Sequence, residues 1–305
     1  MNPLGDLQQR PCPVCGDSVE NATLFLDKSL DTARITRASF ASRKEPEYMW
    51  YRLVRCATCN TVYAAEAPRP EALAAAYRDA DYDTTEEAGL AAVAYACALR
   101  PALMRLKPRG KLVEIGAGSG GFLSQMAAEG FQAIVGIEPS LAARDAAKPA
   151  IRSLIREGIF NPTDFAPNSI SMICCFQTLE HVADPRSLAE AAFRLLEPNG
   201  MLAIATHDVT APINRLLGRR SPIFDIEHLQ LFCPTSLRYL LTRVGFSDVS
   251  IEHLTNTYPL RYWIRLAPVP LKHHFLNLLS LLKLDDLRIS TNVGNILTIA
   301  WKLAV

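Results

Sequence analysis

No stretch of this 305-residue chain holds the about 18 consecutive apolar residues that a membrane-crossing helix requires. The alanine-rich run from Ala88 is cut at Arg100. The opening MNPLGDLQQRPCPVC has no apolar core of secretory-leader length, and the chain reads as cytoplasmic. An excess of one charge is missing too. Lys plus Arg number 32 and Asp plus Glu 31, for a net charge of +1, so no general attraction to nucleic acid is expected. Internal repeats and low-complexity tracts are absent apart from the alanine bias. With 49% hydrophobic and 21% charged residues, the composition fits a folded chain of one large domain and a small satellite.

The eight cysteines divide into two groups. Cys12, Cys15, Cys56 and Cys59 form two C-x-x-C pairs, CPVCG and CATCN, separated by 40 residues. Without a leader segment a disulfide framework is disfavoured, and four thiolates at this spacing suit a tetrahedral zinc ion with sulfur at about 2.3 Å. Neither pair is followed by the helical pattern of a thioredoxin-like site. A closed four-thiolate site leaves no open position, so the expected role is folding rather than catalysis. Segments 23–27 and 51–56 are predicted strands within the interval. Cys97, Cys174, Cys175 and Cys233 read as small buried hydrophobes.

The prolines of APRPEAL, 67–73, end the cysteine module, and helices are predicted near 71–79 and 86–106. A regular alternation follows. Strands are expected at 111–115, 131–138, 151–156, 169–176 and 201–206, with helices near 120–129, 140–148 and 186–196 between them. Such β-α alternation implies a doubly wound sheet with a crevice at the carboxyl ends of its strands. A loop from His207 to Phe232, a helix at 234–244 and a strand near 246–253 come next. Residues 257–291 read as amphipathic helices before a last strand at 295–303.

EIGAGSGGF, 114–122, satisfies both G-x-G-x-x-G through Gly116, Gly118 and Gly121 and E-x-G-x-G-x-G through Gly116, Gly118 and Gly120. Glycines allow a sharp strand-to-helix turn and close approach to a ligand. Glu114 would repel a pyrophosphate and attract an ammonium or sulfonium. Glu138 ends the next strand, where a carboxylate can hold two ribose hydroxyls. The pair suits S-adenosylmethionine, a cationic adenosyl ligand.

Segment 111–206 resembles the class I S-adenosylmethionine-dependent methyltransferases. The resemblance lies in KLVEIGAGSGGF, GIEPS and FQTLEHVADPRSLAEAAFRLLEPNGMLAIAT. CPVCG, CATCNTVYAAEAP and AYRDADYD resemble the N-terminal zinc module of a group that includes sugar C-methyltransferases and enzymes of glycan or natural-product pathways. EHLQLFCPTSLRYLLTRVGF, 227–246, is similar to the region after the fifth strand.

The implied fold class is α/β, a doubly wound Rossmann-like methyltransferase sheet with a small four-cysteine, zinc-ribbon-like N-terminal module and a late helical insert. The implied division is a zinc module at 1–68, linking helices at 69–110 covering the cofactor site, and a methyltransferase domain at 111–305 with the insert at 257–291. By matching position, Glu114, Gly116, Ala117, Gly118 and Gly120 would line the methionyl side of the cofactor, and Glu138 would bind ribose. Pro139 and Phe160 would border adenine, with Gln177 and Thr178 near the methionine end. The adenine-facing acid common after the third strand is missing from GIFNPTDF until Asp164.

A base is needed only where the acceptor is a weakly acidic hydroxyl or a carbon acid. His181, His207 and His228 fall where strand ends converge. His228 beside Glu227 is the preferred base, because a nearby carboxylate can fix an imidazole tautomer, and the resemblance places a matching Glu-His pair at the acceptor site. His181 reads equally as a second catalytic group or as a turn residue satisfied by backbone. His207 is expected near the acceptor, and Tyr77 and Tyr82 are expected to fold over the cofactor or the acceptor, with ordinary packing as the alternative. The expected acceptor is a small molecule or a lipid-linked glycan, and the basic, leucine-rich insert reads as a lid or dimer face, with peripheral membrane contact as the alternative. Two other readings use the same motifs: a nicotinamide-dependent oxidoreductase, and a zinc-ribbon binding or scaffold protein with a non-catalytic methyltransferase fold.

Overall fold

The computed structural model describes residues 4–82, 84–267 and 272–304. The N-terminal part is held by short strands. β1 (Gln8–Gln9) pairs with β5 (Glu66–Ala67), while β2 (Ala22–Leu26), β3 (Leu53–Cys56) and β4 (Val62–Ala64) form an antiparallel ladder. Between β2 and β3 the chain runs through short 3-10 turns, and this irregular stretch reaches down to the rest of the molecule. Helices α1 (Pro70–Arg78) and α2 (Thr85–Arg105) follow, and α1 starts on Pro70, whose fixed φ and missing N–H suit a first helical turn.

The main sheet has seven strands. β6 (Lys111–Ile115), β7 (Ala133–Glu138), β8 (Ile155–Glu157), β9 (Ile170–Phe176) and the outer half of β10 (Leu196–His207) lie parallel, and β12 (Asp248–Pro259) and β13 (Arg288–Lys302) are antiparallel. Their order is β12-β13-β10-β9-β6-β7-β8. All of β9, ISMICCF, is buried, as a strand covered on both faces requires. Cys174, Cys175 and Cys233 are buried as expected, whereas Cys97 lies on an exposed face of α2. Helices α3 (Gly121–Met126), α4 (Leu141–Asp145), α5 (Pro149–Arg152), α6 (Pro185–Leu195), α7 (Pro212–Leu217) and α8 (Pro234–Val244) supply the crossovers and covering layers. Asp184 caps α6 by accepting from Ser187 N at 2.9 Å, and the helix buries Leu188, Ala189, Ala192 and Leu195 against the sheet.

Three differences from the sequence reading have physical reasons. The segment expected as a strand at 151–156 begins as helix α5, because Pro149 opens a helical turn, and the strand is confined to Ile155–Glu157. The expected helical insert is shorter than 257–291: β12 continues to Pro259 and β13 begins at Arg288, in register from Asn256↔Thr291 to Pro259↔Arg288. Thr257 and Ser290 hydrogen-bond across that hairpin at 2.7 Å. Only α9 (Leu260–Leu266) and α10 (Lys272–Leu281) are helical there, and 268–271 lie outside the described residues.

The N-terminal sheet is also not self-contained. Its fourth strand is β11 (Gln230–Leu231), contributed from beyond β10, and it pairs with β4. Arg10 strengthens the join, donating to the carbonyls of Ala183 and Leu229 and to Gln230 Oε1.

Among the described residues no helix is long and apolar enough to cross a membrane. The α9–α10 hairpin exposes Phe275, Leu278, Leu281 and Leu282. Its cations are largely engaged by the protein's own carboxylates. Arg261 pairs with Glu86 and Asp286, and Lys272 with Glu45.

Candidate active site

A cavity of about 580 Å³ opens over the carboxyl ends of β6, β7, β9 and β10, and the irregular 40–46 segment and α1 roof it. The order reverses at β6, whose neighbours are β7 on one side and β9 on the other, and a ligand crevice is expected at such a switch point.

One end of the cavity is the glycine turn. Gly116 has φ +75°, and a Cβ there would lie 2.2 Å from Thr178 Oγ1, so only glycine fits. Gly118 has φ +53°, with open space where a Cβ would stand. Its N–H donates to Glu138 Oε2 at 2.7 Å, while Ser140 N–H donates to Glu138 Oε1 at 2.7 Å. Glu138 thus staples the turn to the end of β7 and keeps a further lone pair on each oxygen. Burial nevertheless pushes its carboxyl above the usual range, against the pull of those two N–H donors.

Glu114 is 4% exposed, and its Oε2 has no hydrogen-bond partner. Burial, reinforced by the neighbouring Glu138, drives its carboxyl well above the ordinary value. A cation entering the cavity would satisfy both groups. This orphaned carboxylate and the open Gly118 face fit a cationic adenosyl ligand and do not fit a pyrophosphate. Tyr82 closes this end, its hydroxyl 2.8 Å from Ser119 Oγ, and Ala117, Pro139 and Phe160 line it. Gln177 adopts φ +47° just after β9 and leaves its buried Oε1 unpartnered, beside Thr178 in the cavity wall.

The other end is a cluster of histidines. His228 lies between His181 and His207, with ring centroids 4.9 and 5.4 Å away. Each Nδ1 faces an acceptor. His228 Nδ1 lies 2.8 Å from Ile223 O, His181 Nδ1 3.0 Å from Glu227 O, and His207 Nδ1 2.8 Å from Asn295 Oδ1. A carbonyl can only accept, so Nδ1 carries the proton in His228 and His181. Asn295 uses its amide on Asn256 Oδ1, which makes its oxygen the acceptor for His207. Burial lowers the affinity of all three rings for a second proton, His207 to about 4.

The sequence reading assigned tautomer control of His228 to Glu227. Here the Ile223 carbonyl performs it, and Glu227 Oε1 stands 4.0 Å from Nε2 on the other side of the ring. Burial pushes Glu227 up to about 8, so the group is largely a neutral acid at pH 7. Tyr77 reaches the same cluster, donating to Glu227 O at 3.1 Å with its oxygen 3.0 Å from His181 Nδ1. Tyr82, expected over the cofactor or the acceptor, is held at the glycine-turn end by Ser119.

Several cavity residues were not foreseen. Lys44 Nζ pairs with Asp225 Oδ1 at 2.6 Å and Glu47 Oε2 at 3.0 Å, and Glu47 N–H donates to Asp225 Oδ2 at 2.8 Å. These bonds tie the segment between the cysteine pairs to the loop that carries Glu227 and His228. Arg43, Tyr258, Tyr262 and Asn295 complete the wall. Glu180 lies beneath it, pushed up to about 7 by burial, and accepts from His207 N at 2.9 Å.

The four paired cysteines meet away from the cavity. Cys12 Sγ is 3.4 Å from Cys59 Sγ, Cys15 Sγ is 3.4 Å from Cys56 Sγ, and all four sulfurs lie within 4.8 Å of one another. Tetrahedral ligands about 2.3 Å from one ion stand close to this far apart, so the set fits zinc. Among the described residues no other group of histidine, cysteine or carboxylate side chains converges in this way, the three histidines included.

A family profile for methyltransferase domains matches residues 91–251, more than half of the chain and the whole span from α2 into β12. The chain belongs to the methyltransferase-domain family. Curated relatives include the ubiquinone biosynthesis O-methyltransferases of Yersinia pestis and Yersinia pseudotuberculosis. Each is 31% identical over 101 residues, which cover 32% of this chain and 42% of the relative. The match therefore spans less than half the length of those methyltransferases.

Similar solved structures include the YcgJ protein of Bacillus subtilis, at 15% identity and TM-score 0.49, covering 68% of this chain and 99% of that one. A SAM-dependent methyltransferase from Archaeoglobus fulgidus is 16% identical with TM-score 0.48, covering 69% and 94%. In this methyltransferase-family chain the matched span supplies the glycine turn, Glu138 and all three histidines, while the cysteine module and Arg43 and Lys44 lie outside it.

Proposed function

We propose that the protein transfers a methyl group from S-adenosylmethionine to a small polar acceptor, such as a sugar, glycan or natural-product intermediate. The observation that carries this reading is the buried Glu114 carboxylate, unpartnered beside the glycine turn and facing a cavity that a cationic donor can enter. When bound, the donor supplies an electrophilic methyl group on a positively charged sulfur. Glu114, the Gly116–Gly118 backbone and Glu138 would hold it, with Tyr82, Pro139 and Phe160 around its adenosyl part.

The histidine end would receive the acceptor. His228 presents an unprotonated Nε2, fixed by the Ile223 contact, and would take the proton that the acceptor's nucleophilic atom sheds as its bond to carbon forms. Glu227, 4.0 Å from that nitrogen, would in its ionised form stabilise the resulting imidazolium. Such a site suits a hydroxyl or carbon acid, and the matched Yersinia relatives are named as O-methyltransferases. Cys12, Cys15, Cys56 and Cys59 would hold a structural zinc ion, whose effect at the cavity is to fix the ends of the segment carrying Lys44.

The test is turnover. The full chain, S-adenosylmethionine and a polar metabolite extract should give a product 14 daltons heavier together with equimolar S-adenosylhomocysteine. Oxidation of NADH by the same mixture, with no S-adenosylhomocysteine formed, would reject the reading in favour of an oxidoreductase.

A further inference from the structure

We propose that Arg43, with the hydroxyls of Tyr95, Tyr258 and Tyr262, is a recognition site for an oxyanion, a carboxylate or phosphate carried by the acceptor. The assignment to the acceptor rests on the methyltransferase reading; the anion site itself does not.

Arg43 lines the cavity, yet none of the described carboxylates forms an ion pair with it. The adjacent Lys44 has two such partners. Arg43 Nη1 donates to Tyr258 Oη at 2.9 Å, and its buried Nε has no partner. Tyr95 and Tyr262 line the same cavity and interact electrostatically with the same guanidinium, and all three tyrosines are buried. Among the described residues no aromatic ring lies face-on beneath Arg43, whereas Arg265 does sit over the Tyr262 ring.

The hydrogen-bond accounting is one-sided. Guanidinium groups have only donors, and a phenol oxygen that accepts from one keeps its O–H to give elsewhere. Tyr258 Oη also receives Asn256 Nδ2 at 3.4 Å. The cluster therefore offers several donors and a fixed positive charge with nothing negative to receive them. Leaving a cation so placed is unfavourable unless an anion enters. The backbone bears a further cost, because Arg43 adopts φ +58°, a left-handed conformation unfavourable for a side chain of this size. That bend aims the guanidinium inward. Arg43's charge reaches His207, so an anion bound here would anchor a substrate beside the histidines.

The experiment titrates the full chain, saturated with S-adenosylhomocysteine, with inorganic phosphate and separately with acetate, using propanol as the neutral control. Wild type should bind at least one anion and not propanol, and which anion binds identifies the source. Arg43→Gln should weaken that binding by about 10- to 100-fold, Arg43→Lys less, and Tyr258→Phe by about two- to tenfold. S-adenosylhomocysteine affinity should stay within about twofold in every variant, which also reports that each is folded. Wild type that binds neither anion, or Tyr258→Phe and Arg43→Gln proteins that bind as wild type does, overturns the proposal. Anion binding without S-adenosylhomocysteine binding would instead keep the site and discard the methyltransferase reading.

Discussion

The two ends of the cavity are built differently. The glycine-turn end is made by neighbours in sequence, Glu114 to Ser119 and Glu138 to Ser140, and its contacts are largely backbone N–H groups meeting carboxylate oxygens. The histidine end is assembled from side chains of distant segments. Lys44 meets Asp225 across 181 positions, and Tyr77 meets Glu227 across 150. The first end needs the local course of one strand and one turn. The second needs the whole molecule in place, including the cysteine module whose loop supplies Arg43 and Lys44.

The largest effect that could break this contrast is loss of the cysteine site. Elemental analysis should find one zinc per chain, and Cys56→Ser or chelation should remove it at a cost of at least about 3 kcal/mol, roughly 5 °C in Tm. Turnover should then collapse while S-adenosylhomocysteine affinity changes by less than about threefold, because the glycine turn does not depend on the module. Equal losses at both ends would show that the ends are not separable.

Next comes His228→Asn. Turnover should fall by about 10²- to 10⁴-fold, with cofactor affinity retained, measured by product formation and by titration in parallel. His207→Asn offers the comparison. Near-normal turnover in the His228 variant would remove that ring from the chemistry.

The third effect is a pH dependence confined to the histidine end. Folding raises Glu227 from 4.5 to about 8, so the folded state binds that proton more tightly than the unfolded chain. The stabilisation is complete below about pH 4.5 and is lost as pH rises through about 8. Glu227→Gln lacks this dependence. Thermal melts from pH 5 to 9 should show the variant gaining on wild type by about 4 kcal/mol. A constant difference across that range would mean that the carboxyl is already ionised in the folded protein.

The smallest effect belongs to the glycine-turn end. Tyr82→Phe removes one hydroxyl contact, to Ser119, and should weaken S-adenosylhomocysteine by about two- to fivefold without altering the histidine end.

This contrast also explains what could be read in the sequence. The glycine turn, β6, β9 and α6 were legible because their signals are local: a motif, an apolar run, and a proline after a capping Asp184. The β12–β13 hairpin beyond the sheet was read as helix, since Tyr258 to Leu266 carries helical apolar spacing while the strand pairing that settles Tyr258 lies at Ile289. Arg43 and Lys44 sat in an interval that the cysteine spacing marked only as filler. Nothing in SRKEP says that these cations point inward, because the group that fixes Lys44, Asp225, is supplied by the far half of the chain. The histidines were found individually, but Ile223, whose carbonyl sets the His228 tautomer, carries no sequence signal.

The most direct measurement is calorimetric titration of wild type and Glu114→Gln with S-adenosylmethionine and with NADH. The account predicts stoichiometric binding of the sulfonium ligand to wild type, affinity about 10- to 100-fold lower in the variant, and no heat from NADH in either. Wild-type protein that takes up NADH, or that binds S-adenosylmethionine no better than Glu114→Gln does, would contradict it.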